Sequence, residues 1–158
     1  MPKLTPKLEA RFNEYLNDAW HSGENLRFLL DNLREHFNPD YSVESLEAAE
    51  RAYWKHSVLG IPADISSQEQ FAQLLGQYLG ESIRHHTGAN WTQCIEDNPM
   101  FAQPFIDSFG RSAWDRIYPV QLAIQINNLQ ESYPGAAEHR AFAATLERAI
   151  KSHKSKSS

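Results

Sequence analysis

The stretch from Ser66 to Trp91, SSQEQFAQLLGQYLGESIRHHTGANW, decides the fold. It opens as a capping box. Ser66 accepts from the Glu69 backbone N–H while the Glu69 carboxylate reaches back to Ser66. Apolar or small residues then recur at Phe71, Leu74, Leu75, Tyr78, Leu79, Ser82 and Ile83. That is the helical period. Gly88 closes the run, where a left-handed residue ends a helix. Gly76 and Gly80 lie one turn apart inside it. Each costs about 1 kcal/mol against Ala in a helix interior. The pair therefore predicts a face where another backbone packs close, on the organising helix of the fold.

Working outward, the N-terminal half reads as helices. Thr5–Pro6 is a cap followed by proline at the first helical position. Leu8, Phe12, Tyr15, Leu16, Ala19 and Trp20 then form one stripe. Ser22–Gly23 interrupts it. A second helix is expected from Glu24 to Phe37, with Leu26, Leu29, Leu30, Leu33 and Phe37 on one face. Asn38–Pro39–Asp40 reads as a turn. Ser42 caps a third helix that turns Val43, Leu46, Ala49 and Tyr53 inward, and Leu59–Gly60–Ile61–Pro62 breaks it.

Between Asn90 and Tyr118 the helical period is lost and aromatic residues concentrate. Alternation around Phe105–Phe109 and Trp114–Tyr118 predicts strands at Trp91–Glu96, Pro104–Phe109 and Ala113–Tyr118. Turns are expected at Asp97–Asn98–Pro99 and Gly110. Aromatics on both faces suit a sheet covered by helices on one side and partly on the other. Pro119 starts a fifth helix, to Gln130. After a Tyr133–Pro134–Gly135 turn, a sixth runs from Ala137 to Ser152. The expected fold is α+β and mostly helical, about six helices with a three-stranded antiparallel sheet between residues 91 and 118. One domain spans residues 1–152, with 1–38 a helical pair packed on it and 153–158 a disordered basic tail.

At 158 residues, 41% of them hydrophobic, the chain can build a core. No segment approaches the roughly 18 apolar residues of a membrane helix. MPKLTPKLEARF has no apolar signal region, and Cys94 is the only cysteine, so a cytoplasmic location is expected. The formal charge is −5. Four of the fifteen basic residues, Arg148, Lys151, Lys154 and Lys156, fall in an acid-free tail. Eleven basic against twenty acidic residues leave −9 for the rest. Such a body repels nucleic acid and suits solubility or a basic protein partner.

Chemistry-bearing motifs are few. His85 and His86 are adjacent, so they diverge by about 100° on a helix and cannot both ligate one metal. No HExxH or CxxC spacing links His56 and Cys94. Cys94 reads as a buried small hydrophobe. Glu96, Asp97, Asp107 and Asp115 match no calcium loop and read as turn and surface residues. The aromatic set offers stacking surfaces, but only Arg111 and Arg116 accompany it, so a core role is expected. Glu81 is expected to face the sheet end and to contact Arg84, Arg116 or the backbone near Trp91. Glu81, Arg84, Trp91 and Arg116 are the candidate binding residues. No catalytic residue, metal ligand or cofactor is assigned.

SLEAAERAYW, YLGESIRHHTGANW and PFIDSFGRSAWDRIYPVQLA resemble an uncharacterised group of small bacterial α+β domains. The matching residues are Ser45, Leu46 and Glu50, then Leu79, Gly80 and Glu81, then Gly88, Trp91 and Pro119. The resemblance covers about Ser42 to Asn128, implies α+β and carries no catalytic residues. Immunity proteins that neutralise a toxin are an analogous class of small acidic proteins. A non-enzymatic protein-binding domain with a basic partner is the expectation. The alternatives are a small hydrolase-like enzyme whose acid–base site only the fold assembles, and a structural homo-oligomer.

Overall fold

Thr5 accepts from the Leu8 N–H at 3.2 Å and launches α1, Pro6–Trp20, with proline in its first turn. A computed structural model describes residues 3–58, 65–107, 116–132 and 140–157 of the chain. Within them α2 is Ser22–Asn32, α3 Val43–Val58 and α4 Ile65–Thr87. Three strands follow: β1 Trp91–Gln93, β2 Pro104–Asp107 and β3 Arg116–Ile117. Helices α5, Pro119–Ser132, and α6, Ala141–Ser157, complete the order.

The Ser66–Trp91 stretch is the centre of the molecule. α4 packs against all five other helices and β2. Phe71, Leu75, Tyr78, Leu79, Ser82 and Ile83 are all buried, as the period requires. Gly88 adopts φ 74° and its N–H reaches the Arg84 carbonyl at 2.8 Å, the left-handed ending read from the sequence. The two glycines do different things. A Cβ on Gly76 would lie 2.8 Å from the Pro119 carbonyl oxygen, so this is the expected close backbone approach, against the start of α5. A Cβ on Gly80 would overlap the Trp91 indole, so there a side chain and not a backbone occupies the space. The side chains of residues 65–68, and with them the Ser66 capping box, lie outside the described residues.

The sheet is an antiparallel meander of order β1-β2-β3. Trp91 pairs with Ile106 and Gln93 with Pro104; Ile106 pairs with Ile117 and Asp107 with Arg116. Ile106 joins the main core, while the Arg116 guanidinium covers Phe105 at 4.5 Å from the ring centre. Both faces of β2 are thus covered, which explains the aromatics on both. β1 is shorter than expected: past Gln93 the Cys94 N–H bonds the Gln103 carbonyl at 2.9 Å and the Ala102 N–H the Cys94 carbonyl at 2.8 Å, and the chain turns between them with Ala102 at φ 69°. The expected strand residues 108–109 and 113–115, the Gly110 turn and the breaks at 59–62 and 133–135 lie outside the described residues.

Four expectations are corrected. The break before α2 is His21 alone, and Ser22–Gly23 already belong to the helix. α2 ends at Asn32, not Phe37, because Arg34 takes φ 59° while the Glu35 N–H bonds the Leu30 carbonyl at 2.8 Å and the Arg34 N–H that of Asp31 at 3.0 Å. That double bond pattern is a Schellman ending, hidden by arginine in a glycine's usual place. Trp20, assigned to the inward stripe, is 69% exposed. Residues 153–157, read as disordered, continue α6. No proline or glycine stops that helix, and lysines near its end oppose the negative pole of the helix dipole.

The start of α6 is capped from a distance. Glu50 on α3 is 1% exposed, and its carboxylate accepts from the Phe142 N–H at 3.2 Å and the Ala143 N–H at 3.1 Å. Two of the four N–H groups that a helix leaves unpaired are satisfied this way.

Candidate functional site

Trp20, Tyr41, Glu81, Arg84 and His85 line a cleft of about 330 Å³. Each wall has a local cause. Trp20 is the last residue of α1, beyond the reach of that helix's buried face. Glu81, Arg84 and His85 come from the last two turns of α4.

Tyr41 follows the Asn38–Pro39–Asp40 turn and holds φ 65°, which few residues with a side chain adopt. Its neighbours fix it there. The Tyr41 N–H donates to the Tyr78 hydroxyl at 2.8 Å, and His86 Nε2–H donates to the Tyr41 carbonyl at 2.9 Å. The Tyr41 ring stacks with Tyr78 at 5.6 Å and His85 at 5.0 Å. Ser45 donates to the Ser42 carbonyl at 2.8 Å, so the Tyr78 hydroxyl donates to Ser45 Oγ, also at 2.8 Å. Backbone strain held by this many contacts is a mark of functional surfaces.

The floor is an ion pair. Arg84 Nη1 donates to Glu81 Oε2 at 2.7 Å, and Arg84 Nε donates to the Ala89 carbonyl at 3.3 Å. Trp91 Nε1 donates to the same Glu81 oxygen at 3.3 Å. Behind it, Tyr15 meets Trp91 edge-on at 5.1 Å, and its buried hydroxyl has no partner among the described residues. Burial pushes that hydroxyl far above the ordinary phenol range, and the Glu81 charge adds to the shift. Glu81 is itself buried, at 8% exposure.

Of the four residues singled out in the sequence, Glu81, Arg84 and Trp91 are brought together, with Glu81 as the hub. Arg116 is not with them. It pairs with Glu96 at 2.7 Å and lies on Phe105, because β3 sits beyond β2 from β1. Trp20, Tyr41 and His85 were missed. Trp20 sits at the edge of the helical stripe, and Tyr41 is placed by a backbone turn that no periodicity reveals. His85 and His86 do diverge, one stacking and the other donating to Tyr41. Cys94 is buried, its thiol 3.9 Å from Asn98 Oδ1.

Other cavities are present among the described residues. A groove of about 460 Å³ between α4 and α5 is lined by carboxamides, including Gln73, Asn127 and Asn128, and by Ala72, Ala123 and Ile124. A shallower one of about 540 Å³ follows the outer face of α1. Neither contains an exposed aromatic ring beside a buried charge. Among the described residues, no group of three or more His, Cys, Asp or Glu is placed to hold a metal, and no helix is long and apolar enough to cross a membrane. Compared with protein-family models, curated proteins and solved structures, the chain matches none, so its function rests on this geometry.

Proposed function

We propose that the chain is a non-enzymatic, cytoplasmic protein-binding domain that docks a basic partner at the Trp20 cleft, in the manner of a toxin-neutralising immunity protein. The observation that carries this reading is the convergence of Trp20, Tyr41 and Arg84 in one cleft, with Trp20 69% exposed. Tryptophan, tyrosine and arginine are the residues in which binding energy concentrates at protein interfaces. An indole left in water at a helix end gains much apolar burial when a partner covers it. The −9 balance outside the tail supports a basic partner, since complementary charge speeds encounter. The immunity class is an analogy from the chain's small size and acidity.

The test is affinity capture from cell lysate with the wild-type chain and with a Trp20→Ser, Arg84→Ala double variant. The reading expects a basic protein, retained by the wild type in a stoichiometric complex and lost by the variant. Equal retention by both, or no stoichiometric binder, contradicts it.

A further inference from the structure

We propose that the groove between α4 and α5 is a second binding site, one that holds a short, uncharged, extended peptide segment by its backbone amides. The site is separate from the Trp20 cleft and does not rest on it. α4 and α5 touch at Gly76, where a Cβ would lie 2.8 Å from the Pro119 carbonyl oxygen. From that contact the groove follows α4 back to Glu69 and α5 on to Asn128. It therefore runs for about 6–8 Å, the length of two to three extended residues. The cleft draws on Glu81, Arg84 and His85 of the same helix, at least about 12 Å further along it.

The carboxamides of this groove hold unused hydrogen-bonding groups. Asn127 is 7% exposed, and its Oδ1 accepts from the buried Tyr53 hydroxyl at 3.1 Å. That bond fixes the carboxamide and turns its Nδ2 donors to the groove, where no acceptor meets them among the described residues. A largely buried amide donor is costly unless water or a ligand supplies the acceptor. Gln70, Gln73 and Asn128 also form no side-chain hydrogen bond among the described residues. Each carboxamide offers an N–H donor and a carbonyl acceptor. A peptide unit offers the same pair. A row of carboxamides therefore matches an extended backbone, whose main-chain bonds give affinity whatever its sequence. Ala72 and Ala123 form a floor of small side chains on which a backbone settles close, and Ile124, 42% exposed, meets one apolar side chain. Other polar ligands fit less well. Among the described residues no lysine or arginine lines the groove and Glu69 stands at its end, which disfavours phosphates. No aromatic ring lines it either, so neither a sugar nor a base finds a stacking platform.

The test pans a phage-displayed library of random heptapeptides against the full chain. Enriched sequences are remade as N-acetylated, C-amidated peptides and titrated into ¹⁵N-labelled protein. They are expected to be uncharged and to shift the side-chain amides of Gln73, Asn127 and Asn128. Methylating alternate backbone nitrogens of the same peptide removes its N–H donors and is expected to abolish binding. The Gln73→Ala, Asn128→Ala pair removes carboxamides that bond nothing among the described residues, so the fold stays intact, and is expected to raise Kd about tenfold through lost hydrogen bonds. The Trp20→Ser, Arg84→Ala variant is expected to bind these peptides as the wild type does. No enriched peptide, shifts that map to the Trp20 cleft or elsewhere, equal binding of the methylated peptide, or an unchanged Kd in the carboxamide variant each overturn the proposal. So do shifts of the groove amides by maltotriose and by no peptide, which assign the groove to a hydroxyl-rich ligand.

Discussion

Replacing Glu81 by alanine removes the hub of the cleft, and the structure sets the size of the loss. Glu81 Oε2 accepts from Arg84 at 2.7 Å and from Trp91 at 3.3 Å. Arg84 remains 31% exposed and keeps its Ala89 contact, so water replaces much of the ion pair. That part is worth about 0.5–1 kcal/mol. The Trp91 indole N–H is more enclosed, and leaving it unmatched costs about 1 kcal/mol, at the low end because the bond is long. Freeing a buried carboxylate from its desolvation returns part of this. The net expectation is a destabilisation of about 1–2 kcal/mol. With a urea slope of about 2 kcal/mol/M, the midpoint falls by roughly 0.5–1 M. Urea unfolding followed by circular dichroism reads this directly. A double-mutant cycle with Arg84→Ala isolates the pair, expected to couple by about 0.5–1 kcal/mol. An unchanged midpoint at unchanged slope refutes the reasoning, because a hub that is removed without cost holds nothing.

Burial pushes Glu50 from 4.5 up to about 7, against the pull of the Ala143 and Phe142 N–H groups. A carboxyl raised in the folded state adds stability that is complete below pH about 4.5 and lost as pH rises through about 7, a span of roughly 3 kcal/mol. Glu50→Gln is expected to flatten stability across that window, and chemical denaturation at several pH values that finds the slope unaltered contradicts it. Gly76→Ala forces the Pro119 backbone aside and is expected to lower stability by about 1–2 kcal/mol after its helix-propensity gain. Gly80→Ala instead displaces the Trp91 indole, so it should weaken the Glu81 coupling in a cycle where Gly76→Ala does not. Tyr78→Phe leaves the Tyr41 N–H without its acceptor, and a cost of about 1–2 kcal/mol with an altered His85 ring environment by NMR is expected. A normal midpoint for Tyr78→Phe separates the Tyr41 conformation from that hydroxyl.

The elements that were legible in the sequence share a local cause. The α4 stripe, the Thr5 cap, the Ser42 cap and the Gly88 ending each depend on residues within a turn or two of one another. The meander was legible because alternation replaced the helical period between Asn90 and Tyr118. Errors fell where distant contacts decide. Arg34 ends α2 in a conformation that the sequence assigns to glycine, and only the Glu35 and Arg34 backbone bonds reveal it. Glu50 caps α6 across a separation of more than ninety residues, which no local pattern encodes. In the cleft, Glu81 and Arg84 were visible as an i, i+3 pair, and Trp91 followed from its place after Gly88. Tyr41 was not, because its position depends on the Tyr78 hydroxyl, thirty-seven residues away. Arg116, one of three contacts expected for Glu81, pairs with Glu96 instead, because strand order decides where it sits.

The measurement that bears most directly on the central claim is the affinity of a captured partner for the wild-type chain against Trp20→Ala, by calorimetry at two salt concentrations. An interface hot spot in the cleft predicts a loss of at least about 30-fold for Trp20→Ala, corresponding to roughly 2 kcal/mol. The partner's basic charge predicts that higher salt weakens wild type and variant alike. A Trp20→Ala affinity within about twofold of wild type contradicts the claim that this cleft is where the protein binds.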